Sequence, residues 1–225
     1  MINATRTNYP AVESYMLSRM NDSAHDAEHV YRVLNYALDI AQHESDVHID
    51  VLSIACLFHD IARSKQYADP TVDHAVCGAE MAYQWLVENG YSIDFAEDVK
   101  KCIHTHRFRS KQAPESIEAM ILFDADKLDA CGAMGIARTL LYKALVAEPL
   151  YTLTEDGAVS NGTNDTEPSF FQEYKFKLEK LYDNFYTVWG AELAAERRNA
   201  AEHFYVSLSA EATECYSQQL AGTHR

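Results

Sequence analysis

Proline and glycine are scarce, with five and eight residues in a chain of 225. A sandwich or barrel of short strands needs turn residues at close intervals, so this scarcity excludes a loop-rich β fold. The five cysteines, at positions 56, 77, 102, 131 and 215, are odd in number and show no paired spacing. They exclude a disulfide framework and point to a reduced, cytoplasmic chain. Three of them fall in apolar helical patterns, where a cysteine is a small buried hydrophobe. No apolar run reaches 20 residues, so no membrane span is expected. The first residues lack the basic and apolar regions of a signal peptide, and none is expected.

Basic residues are also few. Nineteen Lys and Arg against 34 Asp and Glu give a net charge of -15. That balance argues against nucleic acid or an anionic membrane as the main partner. It also repels a phosphate substrate at long range, so such a substrate needs a bound divalent cation and a local basic patch. One stretch contains no acid. Between Asp98 and Glu115 fall Lys100, Lys101, Arg107, Arg109 and Lys111, with His104 and His106. It is either a phosphate-facing patch or a solvated loop.

What is present is helical periodicity. Hydrophobic residues make up 48%, enough for a sizeable core. Val30, Val33, Leu34, Ala37, Ile40 and Ala41 follow the i, i+3, i+4, i+7 rule. A second helix spans about residues 50–62. A third, about 73–88, carries Ala79, Ala82, Trp85 and Leu86 and stops at Asn89-Gly90. A fourth places Phe95, Val99, Cys102, Ile103 and His106 on one face. A fifth begins near Pro114, passes through Ala119–Phe123, and breaks or continues at Gly132 and Gly135 toward Ala147. Residues 148–169 change to a polar, mobile loop with Pro149, Gly157, Gly162 and Pro168. A loop of that length is either functional or a tolerated insertion. A long helix over 170–188 and a final one over about 191–215 complete the chain. There is no strand pattern and no internal repeat. The expectation is one all-α bundle over 1–225, with a core at about 15–147 and C-terminal helices at about 170–215.

The chemistry lies in four residues, His29, His59, Asp60 and Asp126. His59-Asp60 ends the run Val51–Phe58, in which seven of eight residues are apolar. A helix apolar on every side is buried. An imidazole and a carboxylate there carry a desolvation cost of several kcal/mol unless compensated. One metal ion compensates both. Asp126 repeats the pattern after Ala119–Phe123. His29 alone reads more often as a structural residue than as a ligand. Together the four make a His2Asp2 set.

The set resembles the signature of the HD-domain metal-dependent phosphohydrolases. His25-Asp26-x-x-His29-x-x-Arg32-Val33, His59-Asp60-Ile61-Ala62-Arg63, His106-Arg107-Phe108-Arg109 and Asp124-Ala125-Asp126-Lys127-Leu128-Asp129 resemble a bacterial single-domain branch. Gly135-Ile136-Ala137-Arg138, Lys177-Leu178-x-x-Leu181 and Ala195-x-Arg197-Arg198 extend the likeness, which covers about 15–205. The resemblance implies an HD-domain helical bundle in which His29, His59, Asp60 and Asp126 ligate a divalent metal. Some members of the branch hydrolyse nucleoside triphosphates to monophosphates and pyrophosphate. In relatives with two irons, extra histidines complete a second site and the doublet Asp bridges.

His74 and His106 have two readings: satisfied core histidines, or groups that donate to phosphate or bind a second metal. Mixed N/O ligation suits Mn, Mg, Fe, Co, Ni or Zn. The expected reaction is phosphoester or phosphoanhydride hydrolysis of a small phosphorylated molecule, a nucleotide above all. Asp60 would orient the attacking water. Arg63 and Lys127 are placed to neutralise transition-state charge. Arg107 and Arg109 would clamp distal phosphates. Asp129 would bind a ribose, orient a ligand or form a surface salt bridge. Two other readings are a nucleotide-binding module without turnover and a di-iron oxygenase. A third uses His25-x-x-Glu28-His29, an inverted zinc-peptidase pattern with Glu28 as base.

Overall fold

The computed structural model describes residues 7–20, 27–107 and 112–222, with side chains through 216. Ten α-helices and one 3-10 turn appear among these residues, with no strand beyond an isolated Leu153–Val159 bridge. None of these helices is long and apolar enough to cross a membrane. The helices are α1 (Tyr9–Leu17), α2 (Ala27–Ala41), α3 (Ile49–Phe58), α4 (Arg63–Ala68), α5 (His74–Glu88), α6 (Ile93–Thr105), α7 (Ile117–Leu128), α8 (Gly132–Leu145), α9 (Phe170–Phe176) and α10 (Val188–Gly222). The contacts define two compact units, Met1–Asp129 with Phe185–Gly190, and Ala130–Asn184 with Ala191–Arg225.

The first unit is built around α3. Every residue from Val51 to Phe58 is buried, and α1, α2, α5, α6 and α7 all pack against this helix. From Val51 onward only Ser53 is polar, so this helix has no polar face to offer water and becomes the axis of the bundle. Phe58 meets Trp85 edge-on at 5.3 Å, and Tyr15 of α1 stacks on the same indole at 5.2 Å. Helix starts follow capping chemistry. Asp73, Ser92 and Ser116 each accept a backbone N–H from the first turn of α5, α6 and α7. The stop expected at Asn89-Gly90 is present, with Gly90 at φ +84°.

Three expected boundaries change. The second core helix ends at Phe58, four residues early, and His59–Ala62 form turns closed by Ile61 N–H to Phe58 O and Arg63 N–H to Asp60 O. The helix expected over 170–188 breaks after Phe176, and the last helix starts at Val188 instead of about 191. Lys177 leaves helical backbone, Asn184 takes φ +68°, and the N–H groups of Tyr186 and Thr187 bond the Asp124 carboxylate. Leu178 and Leu181 turn inward in the second unit, so burial overrides continuation of the helix.

In that second unit Tyr174 lies flat on Tyr205, 4.1 Å between centroids and 3° between planes. The segment 148–169, expected as an open polar loop, is a folded element. Asp165 accepts from the hydroxyls of Thr152 and Ser160, and Tyr205 donates its hydroxyl to Asn161 O. Gly162, at φ +83°, lies where a Cβ would stand 2.3 Å from the Phe171 carbonyl carbon, so only glycine fits. The other helix boundary left open in the sequence is a break: α7 ends at Leu128 and α8 begins at Gly132.

Candidate metal centre

The turn that ends α3 aims its two polar residues at the bundle interior. His59 donates Nδ1–H to Cys56 O at 2.7 Å, because a carbonyl only accepts. Its Nε2 is therefore bare and stands 3.3 Å from His29 Nε2. His29 is fixed the same way, donating Nδ1–H to Asp129 Oδ2 at 2.7 Å. Asp60 Oδ2 lies 3.7 Å from both Nε2 atoms. Asp126 Oδ1 lies 3.4 Å from His29 Nε2 and 3.9 Å from His59 Nε2. Helices α2 and α7 and the turn after α3 thus bring together the four residues expected as ligands.

A second cluster shares Asp60. His74, first residue of α5, places Nε2 at 3.3 Å from Asp60 Oδ1, and His106, at the end of α6, places its Nε2 at 3.8 Å. His106 donates Nδ1–H to Ile103 O at 2.6 Å. His74 Nδ1 lies 2.6 Å from the Gln66 side-chain oxygen. His29, His59 and Asp126 form one group able to hold an ion, and Asp60, His74 and His106 a second. Asp60 bridges them, one carboxylate oxygen toward each.

His59 and His106 direct Nδ1–H outward to backbone carbonyls and His29 directs its own to Asp129, so their Nε2 atoms face the two carboxylates. Asp60 Oδ1 and His74 Nε2 are buried without a hydrogen-bond partner. Buried polar atoms without a partner carry a desolvation cost that a cation between them removes. Ligand bonds of about 2.0–2.2 Å place neighbouring donors roughly 3–3.5 Å apart, close to the separations of the first cluster. Burial, opposed by the carboxylates, depresses the His59 and His74 pKa values to about 4 and about 3, so both are neutral at physiological pH. Burial also opposes ionisation of Asp60, but Arg63 and the surrounding histidines outweigh it and hold the carboxyl well below its usual range. Asp126 is held low against burial by the adjacent His29 and His59. Neutral imidazoles and ionised carboxylates are the protonation states that a divalent cation requires. The residues present fit such an ion.

The remaining candidates take distinct places. Arg63 points Nη2 at Asp60 Oδ2 (3.3 Å) and Nη1 toward His74 Nδ1 (3.2 Å). Asp129 is fully buried, and besides His29 it holds Arg32 through two bonds, 2.7 Å from Nε and 3.1 Å from Nη2. It is neither a surface ion pair nor open to a ribose. Lys127 is 95% buried, with Nζ 4.4 Å from the Phe185 ring centroid. Among the described residues of the basic stretch, Lys100 pairs with Glu80 and Arg107 with Asp73, both from α5 or its N-cap, and Lys101 pairs with Asp98 on its own helix. Arg109 lies outside the described residues, as does His25. Glu28 is on the exposed side of α2, so the peptidase base does not join the cluster.

Sequence reasoning named Arg32 and Asp124 without a task for either, and missed Gln66. Arg32 had a signal, since it lies one turn beyond His29 on the same face. Gln66 had none. Asp124 and Asp126 look equivalent in sequence, but two positions on a helix turn about 200° apart. Asp126 faces the clusters, while Asp124 faces Tyr186 and Thr187.

Known proteins are similar to this chain over most of its length. YpgQ of Bacillus subtilis is 30% identical over 194 residues, which are 84% of this chain and 85% of YpgQ. The crystal structure of YpgQ in complex with ADP is similar over 90% of this chain and 96% of that one, with a TM-score of 0.69 and 26% identity in the superposition. A structure described as a predicted HD superfamily hydrolase, from an uncultured Thermotogales bacterium, is 28% identical with a TM-score of 0.61, covering 90% of this chain and 91% of its own. A Lactobacillus plantarum structure covers 92% and 98% of the two chains at 25% identity and a TM-score of 0.70. The HD domain family model matches residues 26–131, a range that begins before His29 and ends after Asp129. With the His and Asp clusters in place inside that range, the chain belongs to the HD-domain superfamily of metal-dependent hydrolases.

Proposed function

We propose that this protein hydrolyses a phosphoester or phosphoanhydride bond in a small phosphorylated molecule, most specifically a nucleotide. The observation that carries the reading is Asp60, a buried carboxylate with one oxygen toward His29 and His59 and the other toward His74 and His106. His29, His59, Asp60 and Asp126 would hold one divalent ion, and Asp60, His74 and His106 a second. A divalent ion there supplies Lewis acidity toward a phosphoryl oxygen and makes water more acidic. The chain's own groups do the rest. Asp60 orients the attacking water. Asp126 is the one partly exposed member of its group, at 27% against 2% or less for the others, so substrate enters on its side. Arg63 is also partly exposed, and a guanidinium beside Asp60 is placed to receive charge that develops on a transferring phosphoryl group. Arg107, near His106, neutralises a more distant phosphate once it exchanges Asp73 for the ligand. Lys127 adds positive potential behind Asp126. The net charge of the chain repels such substrates, so this local reversal of sign is necessary. The ADP held by YpgQ supports nucleotide recognition.

The shared carboxylate also favours a second reading, oxidation at a pair of irons. Metal analysis of the purified protein, followed by a screen of phosphate esters with Mn and Mg, separates the possibilities. Metal-dependent release of phosphate or pyrophosphate supports hydrolysis. Two irons with oxygen consumption support oxidation, and nucleotide binding without turnover reduces the site to a binding module.

A further inference from the structure

The Asp129 carboxylate has no face left for water. Its Oδ2 accepts from His29 Nδ1 at 2.7 Å and from Arg32 Nη2 at 3.1 Å, while Oδ1 accepts from Arg32 Nε at 2.7 Å. Its exposure is zero. Its own backbone N–H bonds Asp126 O, so one residue is tied to both His29 and Asp126. Arg32 and His29 lie three positions apart on α2, and the guanidinium binds as a planar fork. Buried and unpaired, Asp129 would be costly and free to rotate. With two donors from Arg32 its plane is set, and the third donor, His29 Nδ1–H, meets an oxygen of fixed position.

We propose that Arg32 is a positioning residue for the metal centre. It acts through Asp129 to fix the tautomer and the ring orientation of His29, so that Nε2 faces Asp60 and Asp126 before any ion arrives. The inference rests on the metal reading of the site. A carboxylate behind a metal-binding histidine typically contributes 10- to 100-fold in metal affinity. Arg32 acts one step further out. Nothing in this arrangement places Arg32 on the substrate.

The test is calorimetric titration of the metal-stripped full chain with Mn2+, alongside steady-state kinetics at saturating Mn2+. Asp129→Asn should weaken Mn2+ binding about 10- to 100-fold. Arg32→Ala should weaken it about tenfold. Arg32→Lys keeps the charge but loses the fork, and should fall between wild type and Arg32→Ala. At saturating Mn2+ the kcat and the nucleotide KM of both Arg32 variants should return to within about twofold of wild type. Wild-type Mn2+ affinity in Arg32→Lys and Arg32→Ala, with only a lower Tm, would make Arg32 purely structural and overturn the proposal. A raised KM at saturating metal would place Arg32 on the substrate and overturn it equally. If Arg32→Ala does not fold, Arg32→Lys decides alone. A wild-type chain that binds no divalent metal fails the metal reading itself, whereas equal binding by wild type and variants fails only this inference.

Discussion

Asp124 and Thr187 are joined twice: the backbone N–H and the hydroxyl of Thr187 each donate to Asp124 Oδ2 at 2.7 Å. The Tyr186 N–H reaches both carboxylate oxygens at 3.0 Å. The carboxylate therefore holds the start of α10, where unbonded N–H groups and the positive end of the helix favour an anion. Gly190 fits because a Cβ there would stand 2.6 Å from Thr187 Oγ1 and 3.0 Å from Asp124 Oδ2.

The first prediction follows from this arrangement. Both Asp124→Asn and Asp124→Ala should destabilise the fold by about 1–3 kcal/mol. Asparagine is no conservative change, because its amide group would face backbone N–H donors. Urea denaturation of the metal-free proteins measures the loss. Mn2+ affinity of the folded variants should stay near wild type, since Asp124 faces away from the clusters. A metal defect larger than the stability defect would show that the capping role is incomplete.

The shared position of Asp60 predicts a pattern of metal stoichiometry. His29→Ala should lose the first ion and retain the second. His74→Ala and His106→Ala should lose the second and retain the first. Asp60→Ala should lose both and abolish turnover, without unfolding the bundle by circular dichroism. Metal content by mass spectrometry after desalting reads all four variants. One ion in wild type, unchanged by His74→Ala, would return His74 to a core histidine.

These outcomes also mark how far the sequence could be read. Helix α3 was legible because a segment with no polar face has only one place to go. The clustering of His59 with Asp60 was legible because a buried imidazole and carboxylate need a partner. The sharing of Asp60 was an open alternative, since it depends on the turn at 59–62, whose short-range bonds leave no periodic signal. The break at Lys177 was hidden for a related reason. Phe171, Tyr174, Leu178, Leu181, Phe185 and Val188 keep helical spacing, but Phe185 belongs to the unit that contains Lys127, and Leu181 to the other. Spacing records which residues are apolar, not which core receives them. The pairing of Lys100 and Arg107 was not legible because Glu80 and Asp73 come from α5 and its N-cap, distant in sequence.

Arg107 gives a kinetic prediction. It pairs with Asp73 at 3.0 Å and is partly exposed. If a distal phosphate replaces Asp73 as its partner, Arg107→Ala should raise KM for a triphosphate several-fold more than for a monophosphate, with kcat little changed. Equal effects on the two substrates would leave Arg107 as an anchor of the α5 start. Arg109 lies outside the described residues, and Arg109→Ala in the same assay asks whether the clamp has a second arm.

Asp165 supports the final prediction. Its two oxygens accept from Thr152 and Ser160, and Ser160 Oγ in turn accepts the Gly162 N–H at 3.2 Å. Gly162 lies against the Phe171 and Gln172 backbone, beside the stacked Tyr174 and Tyr205 rings. One carboxylate therefore orders the segment that was expected as an open polar loop, and the segment braces the aromatic core of the second unit. Asp165→Ala leaves two hydroxyls without their acceptor and frees the turn at Gly162. It should cost about 1–3 kcal/mol and speed proteolytic cleavage within residues 152–165. Gly162→Ala meets both the left-handed backbone and the Phe171 carbonyl, so its loss should be at least as large. Limited proteolysis and thermal melts of the two variants check this. Wild-type stability in both would mean that the segment is an ornament on the second unit and that its hydrogen bonds order nothing beyond themselves.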